Sequence, residues 1–279
     1  MHSRSRWIAG VVWFALLGAC GGGTVATTAT FPTFVVLQGA AFKGQFLSGV
    51  VVGSDADFGN QLFEVPLSAG GAFASEFELL AAEFVACRVS GVFLNEATQL
   101  SESTGAYPLR ATFRPAGQVT VNVTVLSSLV AVSMEYLCLI NPTLTKKEKE
   151  ELAAGSYGDL FSIADTNVAP APTSGDPLKV WLLGAGFCAL SNGIGIPTTE
   201  LVDLCARAWQ DGSLDNMFDG TVLAAENGTE LPADPRAALH DALVDFILTN
   251  PSTPAGLTLA DQDVLELLGF VSVASFELQ

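Results

Sequence analysis

The residues whose spacing best suits chemistry lie in the run DGSLDNMFDG, 211–220. A hard cation such as Ca²⁺ takes loop oxygens at positions 1, 3, 5 and 9, with a backbone carbonyl at position 7. Asp211, Ser213, Asp215, the Met217 carbonyl and Asp219 meet that spacing. Residues 198–210 before them read as a helix, which predicts a helix running into a calcium loop. Two positions depart from an EF-hand. Position 6 is Asn216, which tolerates a left-handed turn much as glycine does. Position 12 is Val222, so the bidentate glutamate is missing. The competing expectation for the same residues is an acidic, glycine-punctuated turn.

Three other constellations are weaker. Gly184-x-Gly186-x-x-Ala189, with Asp203 further on, imitates a dinucleotide fingerprint, but such a site needs a strand–turn–helix unit around it. The break NGIGIP at 192–197 leaves only a short helix after the glycines and puts Asp203 inside the next helical segment. A small-residue helix packed closely on its neighbours is the expectation there. His240 stands beside Asp241 with no nucleophile signature nearby, and one titratable group does not make a site. Asp241 and Asp245 fall on one helical face, where a glycosidase-like carboxylate pair competes with an ordinary solvated surface.

The cysteines separate by address. A basic start (Arg4, Arg6), an apolar run from Trp7 to Ala19 and then Cys20 are the parts of a secretory signal. The run is shorter than the ~20 residues a membrane-spanning helix needs. Leu17-Gly18-Ala19-Cys20 resembles the bacterial lipoprotein box. That resemblance implies removal of a signal peptide, residues 1–19, and a covalent lipid on Cys20 as the membrane anchor. Gly21 after the cysteine then implies the outer membrane of a Gram-negative cell, with the body periplasmic or surface-facing. Residues 20–33 read as a flexible tether. Such a compartment is oxidising, and Cys87, Cys138, Cys188 and Cys205 remain as an even set. Cys188–Cys205, close in sequence, and Cys87–Cys138 are the expected disulfides, against the alternative of buried free thiols. No CxxC or Cys/His cluster has zinc spacing.

Composition narrows the function classes. Acids outnumber bases 29 to 12 in 279 residues, for a net charge of -17, and loss of Arg4 and Arg6 with the leader makes the body more acidic still. Nucleic acid is excluded as a partner, because phosphate needs a basic footprint. A hydrophobic share of 49% with 18 phenylalanines excludes a disordered chain.

The elements that must position these residues change period near residue 125. Val119, Val121, Val123 and Val125 alternate with polar residues, as do Leu109, Ala111 and Phe113, which is strand spacing. FKGQFLSGVVV and FVACRVSGVF are further strand-like runs, separated by turns at Gly53-Ser54-Asp55, Gly59-Asn60 and Gly70-Gly71. After Leu126 the signals are helical. Thr145 with Glu148 has capping-box form, Asp176-Pro177 and Asp234-Pro235 read as capped helix starts, and 258–261 opens a last helix. The expected fold class is α+β: an N-terminal β-sandwich, Ig-like or prealbumin-like, over 34–125, then an all-α helical domain over 126–279.

The sandwich segment also resembles a bacterial lipoprotein family with an Ig-like or carboxypeptidase-regulatory-like β-domain followed by a helical domain. The matching residues are Ser90-Gly91-Val92-Phe93, Glu96-Ala97-Thr98, Pro108-Leu109-Arg110-Ala111 and 122–131, with GDLFSI at 158–163 and LVDLCARAWQDGSLDNMFDGT at 201–221 in the helical half. The chain departs from the family pattern at Thr124-Val125-Leu126-Ser127 and in its extra cysteines. The resemblance implies a non-enzymatic surface or envelope lipoprotein that binds a glycan, peptide or protein partner. The alternatives are a carboxylate-dependent envelope hydrolase and a structural subunit of a surface assembly.

Overall fold

The computed structural model describes residues 33–55, 59–79 and 84–272. The leader, Cys20 and the tether up to residue 32 lie outside the described residues. The strands are β1 (Thr33–Ala41), β2 (Phe46–Asp55), β3 (Gln61–Pro66), β4 (Ala72–Leu79), β5 (Val85–Leu94), β6 (Ser101–Ser103), β7 (Leu109–Phe113) and β8 (Gln118–Val123). The helices α1 (Val125–Ile140), α2 (Lys146–Phe161), α3 (Asp176–Ile194) and α4 (Thr198–Ala208) follow. A short hairpin, β9 (Met217–Phe218) and β10 (Thr221–Val222), precedes α5 (Pro235–Thr249) and α6 (Gln262–Leu268). The fold is α+β, strands first and helices after, as the change of period predicts.

In one sheet β1 lies between an antiparallel β4 and a parallel β8. The other runs β3-β2-β5-β6, and β7 pairs with β5 beside β6. Successive side chains of a strand point to opposite faces. Val35 and Leu37, Cys87 and Val89, Leu109 and Ala111, and Val121 and Val123 therefore meet in one apolar core with Phe46, Phe63 and Phe77.

The chain passes from β8 to α1 across one residue. Thr124 is extended and its hydroxyl accepts the Ser127 amide at 3.0 Å, while the Ser127 hydroxyl takes the Thr124 amide at 2.8 Å. This reciprocal capping box starts the helix. Val125, the last residue of the alternating run, is thus helical. α1 is buried along most of its length and packs on α2 and α4, and across the junction on β7. Around it lies a second core that includes Leu126, Tyr157, Phe187, Trp209 and Phe246. The strands and the helices fall within one compact unit.

The caps follow the sequence in α2 and α5; α3 departs from it, and the last helix starts only at Gln262, where Asp261 accepts the Thr258 amide and caps no helix amide. Thr145 and Glu148 form the capping box of α2, and Asp234 caps α5 by accepting the Ala237 amide at 3.0 Å. In α3 the N-cap is Gly175, and Asp176 is the first helical residue. Its carboxylate reaches back to accept the Ala164 and Asp165 amides, both at 2.9 Å. The Asp-Pro pair marks the helix start, but the acid ties down the preceding loop instead of the helix's own amides.

Candidate functional site

The 211–220 run closes α4 and forms the hairpin. Asp211 ends a 3-10 turn, Trp209–Asp211. Leu214 takes a positive φ of 55° and is buried. The Asp215 carboxylate accepts the Met217 amide at 2.7 Å, and the Asn216 side chain donates to the Leu231 carbonyl at 2.9 Å. Met217 pairs with Val222 and Phe218 with Thr221. Between them Asp219 and Gly220 both have positive φ, 49° and 72°. That is the backbone of a type I′ hairpin, for which Asp-Gly is a strong sequence signal. The helix thus runs into a hairpin. Among the described residues no three His, Cys, Asp or Glu side chains come together as a metal site. Ser213 lies in the connection between Gly212 and the buried Leu214.

The cysteine pairings expected from sequence are not formed: Cys87, Cys138, Cys188 and Cys205 are free thiols. Strand alternation explains the first pair. Cys87 points into the β core, and burial pushes its thiol up to about 12. Cys138 is exposed on the opposite side of β5, in a hollow it shares with Ala86 and Arg88. The second pair diverges as well. Cys205 belongs to the helical core, whereas Cys188 turns toward the β half.

The remaining sequence candidates lie on α3, α4 and α5. Gly184 and Gly186 lie in the middle of α3, and a side chain at Gly186 would press on Leu239 and Leu243 of α5 at 3.3–3.5 Å. The glycine allows close helix packing, and no strand–turn–helix unit surrounds it. Asp203 is held by Arg207 at 2.7 Å and Arg110 at 3.3 Å. His240 Nδ1 lies 3.1 Å from Asp241, whose side chain is 83% exposed. Asp241 and Asp245 both face outward on α5.

Two other places combine polar groups with space. The first was missed by sequence reasoning. Lys43, in the turn between β1 and β2, is 1% exposed. Next to it Gly44 has φ +74°, and a side-chain carbon there would come within 1.8 Å of the Leu94 carbonyl oxygen. Only glycine fits so tight a crossing over the end of β5, and that crossing aims Lys43 at α3. Its ammonium donates to Cys188 Sγ at 3.3 Å and to the Gly184 carbonyl at 3.5 Å, and it lies 5.9 Å from the Phe93 ring centre. The Glu96 amide also donates to Cys188. Burial pushes the Glu96 carboxyl up to about 7, against the downward pull of the Lys43 charge. A cavity of about 230 Å³ opens beside these groups, walled by Trp181, Gly184, Pro170 and Pro172. The sequence signal was a lysine set between Phe42 and Phe46 in a strand–turn–strand.

The second place is a cleft of about 410 Å³ between β7, β8 and α2. Arg114 stands in it, 2.8 Å from Glu150 and 3.2 Å from Glu151, with its guanidinium 5.6 Å from the Phe84 ring centre. Burial raises the Glu150 carboxyl above the ordinary range, and Arg114 opposes that shift. The far wall is Asn167. It accepts the Asn122 amide at 2.8 Å and donates to the Thr120 carbonyl at 3.0 Å, which covers the free edge of β8. The capping box of Lys146–Phe161 presents both glutamates in the first turns of α2.

Neither a family model nor a curated protein matches the chain.

Proposed function

We propose that this chain is a lipid-anchored envelope protein that binds a glycan without transforming it, in the cleft between β7, β8 and α2. The address rests on the lipoprotein box ending at Cys20 and the glycine-rich stretch behind it. The Ig-like or prealbumin-like reading of the two sheets, and the family resemblance, point to the same class of protein.

One observation carries the ligand class: among the described residues the cleft's cation, Arg114, is already paired with Glu150 and Glu151 at 2.8 and 3.2 Å. An anionic ligand would meet two carboxylates. A neutral polyhydroxylated ligand finds fixed donors and acceptors on one wall and the rigid Asn167 amide on the other. The volume of about 410 Å³ suits a ligand of oligosaccharide size. A carboxylate-dependent hydrolase is the alternative, because Glu150 has a raised carboxyl in a cleft. Against it, both glutamates converge on one guanidinium, whereas glycosidase carboxylates flank the bond they cleave.

Calorimetric titration of the body from residue 20 onward with a panel of neutral envelope oligosaccharides tests the reading. Saturable binding without sugar release supports it, and Arg114→Ala should weaken that binding roughly tenfold, about 1.4 kcal/mol. Binding by no member of the panel overturns the glycan reading, and released reducing sugar abolished by Glu150→Gln favours the hydrolase.

A further inference from the structure

We propose that Lys43 and Cys188 are an oxidative crosslinking site, at which hydrogen peroxide joins the lysine nitrogen to the cysteine sulfur through a single oxygen. The two atoms are already 3.3 Å apart and in hydrogen-bond contact. They belong to the two halves of the fold, Lys43 to the β1–β2 turn and Cys188 to α3. Both residues are fully buried, which excludes thiols as bulky as glutathione. The adjoining cavity of about 230 Å³ reaches Lys43, Glu96 and Gly184 and admits a molecule the size of peroxide. The other three thiols among the described residues differ. Cys87 and Cys205 lie in apolar cores, and Cys138 is on the surface.

The chemistry balances in three steps. One peroxide oxidises the Cys188 thiol to its sulfenic acid and leaves as water. The Lys43 amine, its ammonium proton passed to the Glu96 carboxylate, then attacks a second peroxide, forming an N–O bond as the O–O bond breaks and one water leaves. The resulting hydroxylamine oxygen attacks the sulfenic sulfur, forming the S–O bond and expelling the sulfenic hydroxyl as a second water. Four electrons are lost by the pair and taken by the two peroxides. Burial holds the Cys188 thiol above its ordinary range, opposed by Lys43 and the Glu96 amide. The thiolate is the reactive form, so crosslinking should quicken as pH rises.

The test treats the purified body with hydrogen peroxide and maps its tryptic peptides by mass spectrometry. The expected product is one peptide pair joining Lys43 and Cys188, with a gain of one oxygen and a loss of two hydrogens, reversed by dithiothreitol. The crosslinked protein should also melt higher than the same sample after reduction, because the link ties the two halves. Cys188→Ser should remove the product and Cys138→Ser should leave it. Recovery of Cys188 as free thiol, or as sulfinic or sulfonic acid unconnected to Lys43, overturns the proposal. That map of the wild-type chain decides the matter even if a variant fails to fold.

Discussion

Glu102 caps a helix that it does not belong to. Its carboxylate accepts the Thr198 amide at 2.6 Å and the Thr198 hydroxyl at 2.8 Å, at the first turn of α4. The N-cap residue of α4 is Pro197, which brings no side-chain acceptor. An acid from β6 therefore supplies both the hydrogen bond and the negative charge that a helix N-terminus favours. The same carboxylate also holds Asn95 at 2.8 Å. The β half completes the helical half, and the cleft and the Lys43 cavity lie along the contact between them.

Removing that cap should be felt by the whole molecule. Glu102→Ala leaves the Thr198 amide and the Asn95 side chain without their acceptor, at a cost of about 2 kcal/mol. Urea denaturation followed by tryptophan fluorescence and by far-ultraviolet circular dichroism should give one shared transition at lower urea. Separate transitions for the two signals would mean that the halves melt independently.

The turn that aims Lys43 should tolerate no side chain. Gly44→Ala places a carbon 1.8 Å from the Leu94 oxygen and also strains a positive φ, so a loss of about 3 kcal/mol or more is expected. The melting temperature of the variant checks this. A shift of only a degree or two would show that the turn relaxes freely.

Glu96 makes stability depend on pH in an unusual direction for an acid. Its folded carboxyl, at about 7, lies above the ordinary value of 4.5. Between those values the folded state holds the proton more tightly than the unfolded one, so the stabilisation is full below 4.5 and is lost as pH rises through 7. Stability should fall by about 3 kcal/mol across that window from this group. Glu96→Gln should flatten that part of the profile, and an unchanged slope would assign it to other groups.

Asp215 and the Asp219-Gly220 pair test the hairpin reading of the acidic run. Asp215→Asn retains a side-chain oxygen for the Met217 amide and should change stability by less than about 0.5 kcal/mol. Asp219→Val puts a β-branched residue at φ 49° and should cost about 1–2 kcal/mol. Thermal melts of the two variants compare them directly. Equal losses would place the acids' role in charge instead of backbone conformation.

Much of the architecture was legible because it rests on local rules. The valine alternation gave β8, the Thr145 and Asp234 caps gave α2 and α5, and the shift from period 2 to helical spacing placed the boundary at α1. Asp219-Gly220 was equally legible as a hairpin signal. The disulfides failed because sequence proximity says nothing of direction: Cys188 and Cys205 face different neighbours, and strand alternation puts Cys87 on the far side of the sheet from Cys138. The polar sites were hidden for a related reason. Lys43, Glu96 and Cys188 stand far apart in the chain, as do Arg114, Glu150 and Asn167. Only the docking of strands on helices brings each set together.

Hydrogen exchange of the body from residue 20 onward, with and without a bound neutral oligosaccharide, tests the central claim most directly. Protection should rise in 109–123 and in the first turns of α2 around Glu150, and stay unchanged in the β9–β10 hairpin. Protection confined to other surfaces, or none at saturating ligand, would contradict the assignment of the cleft as the binding site.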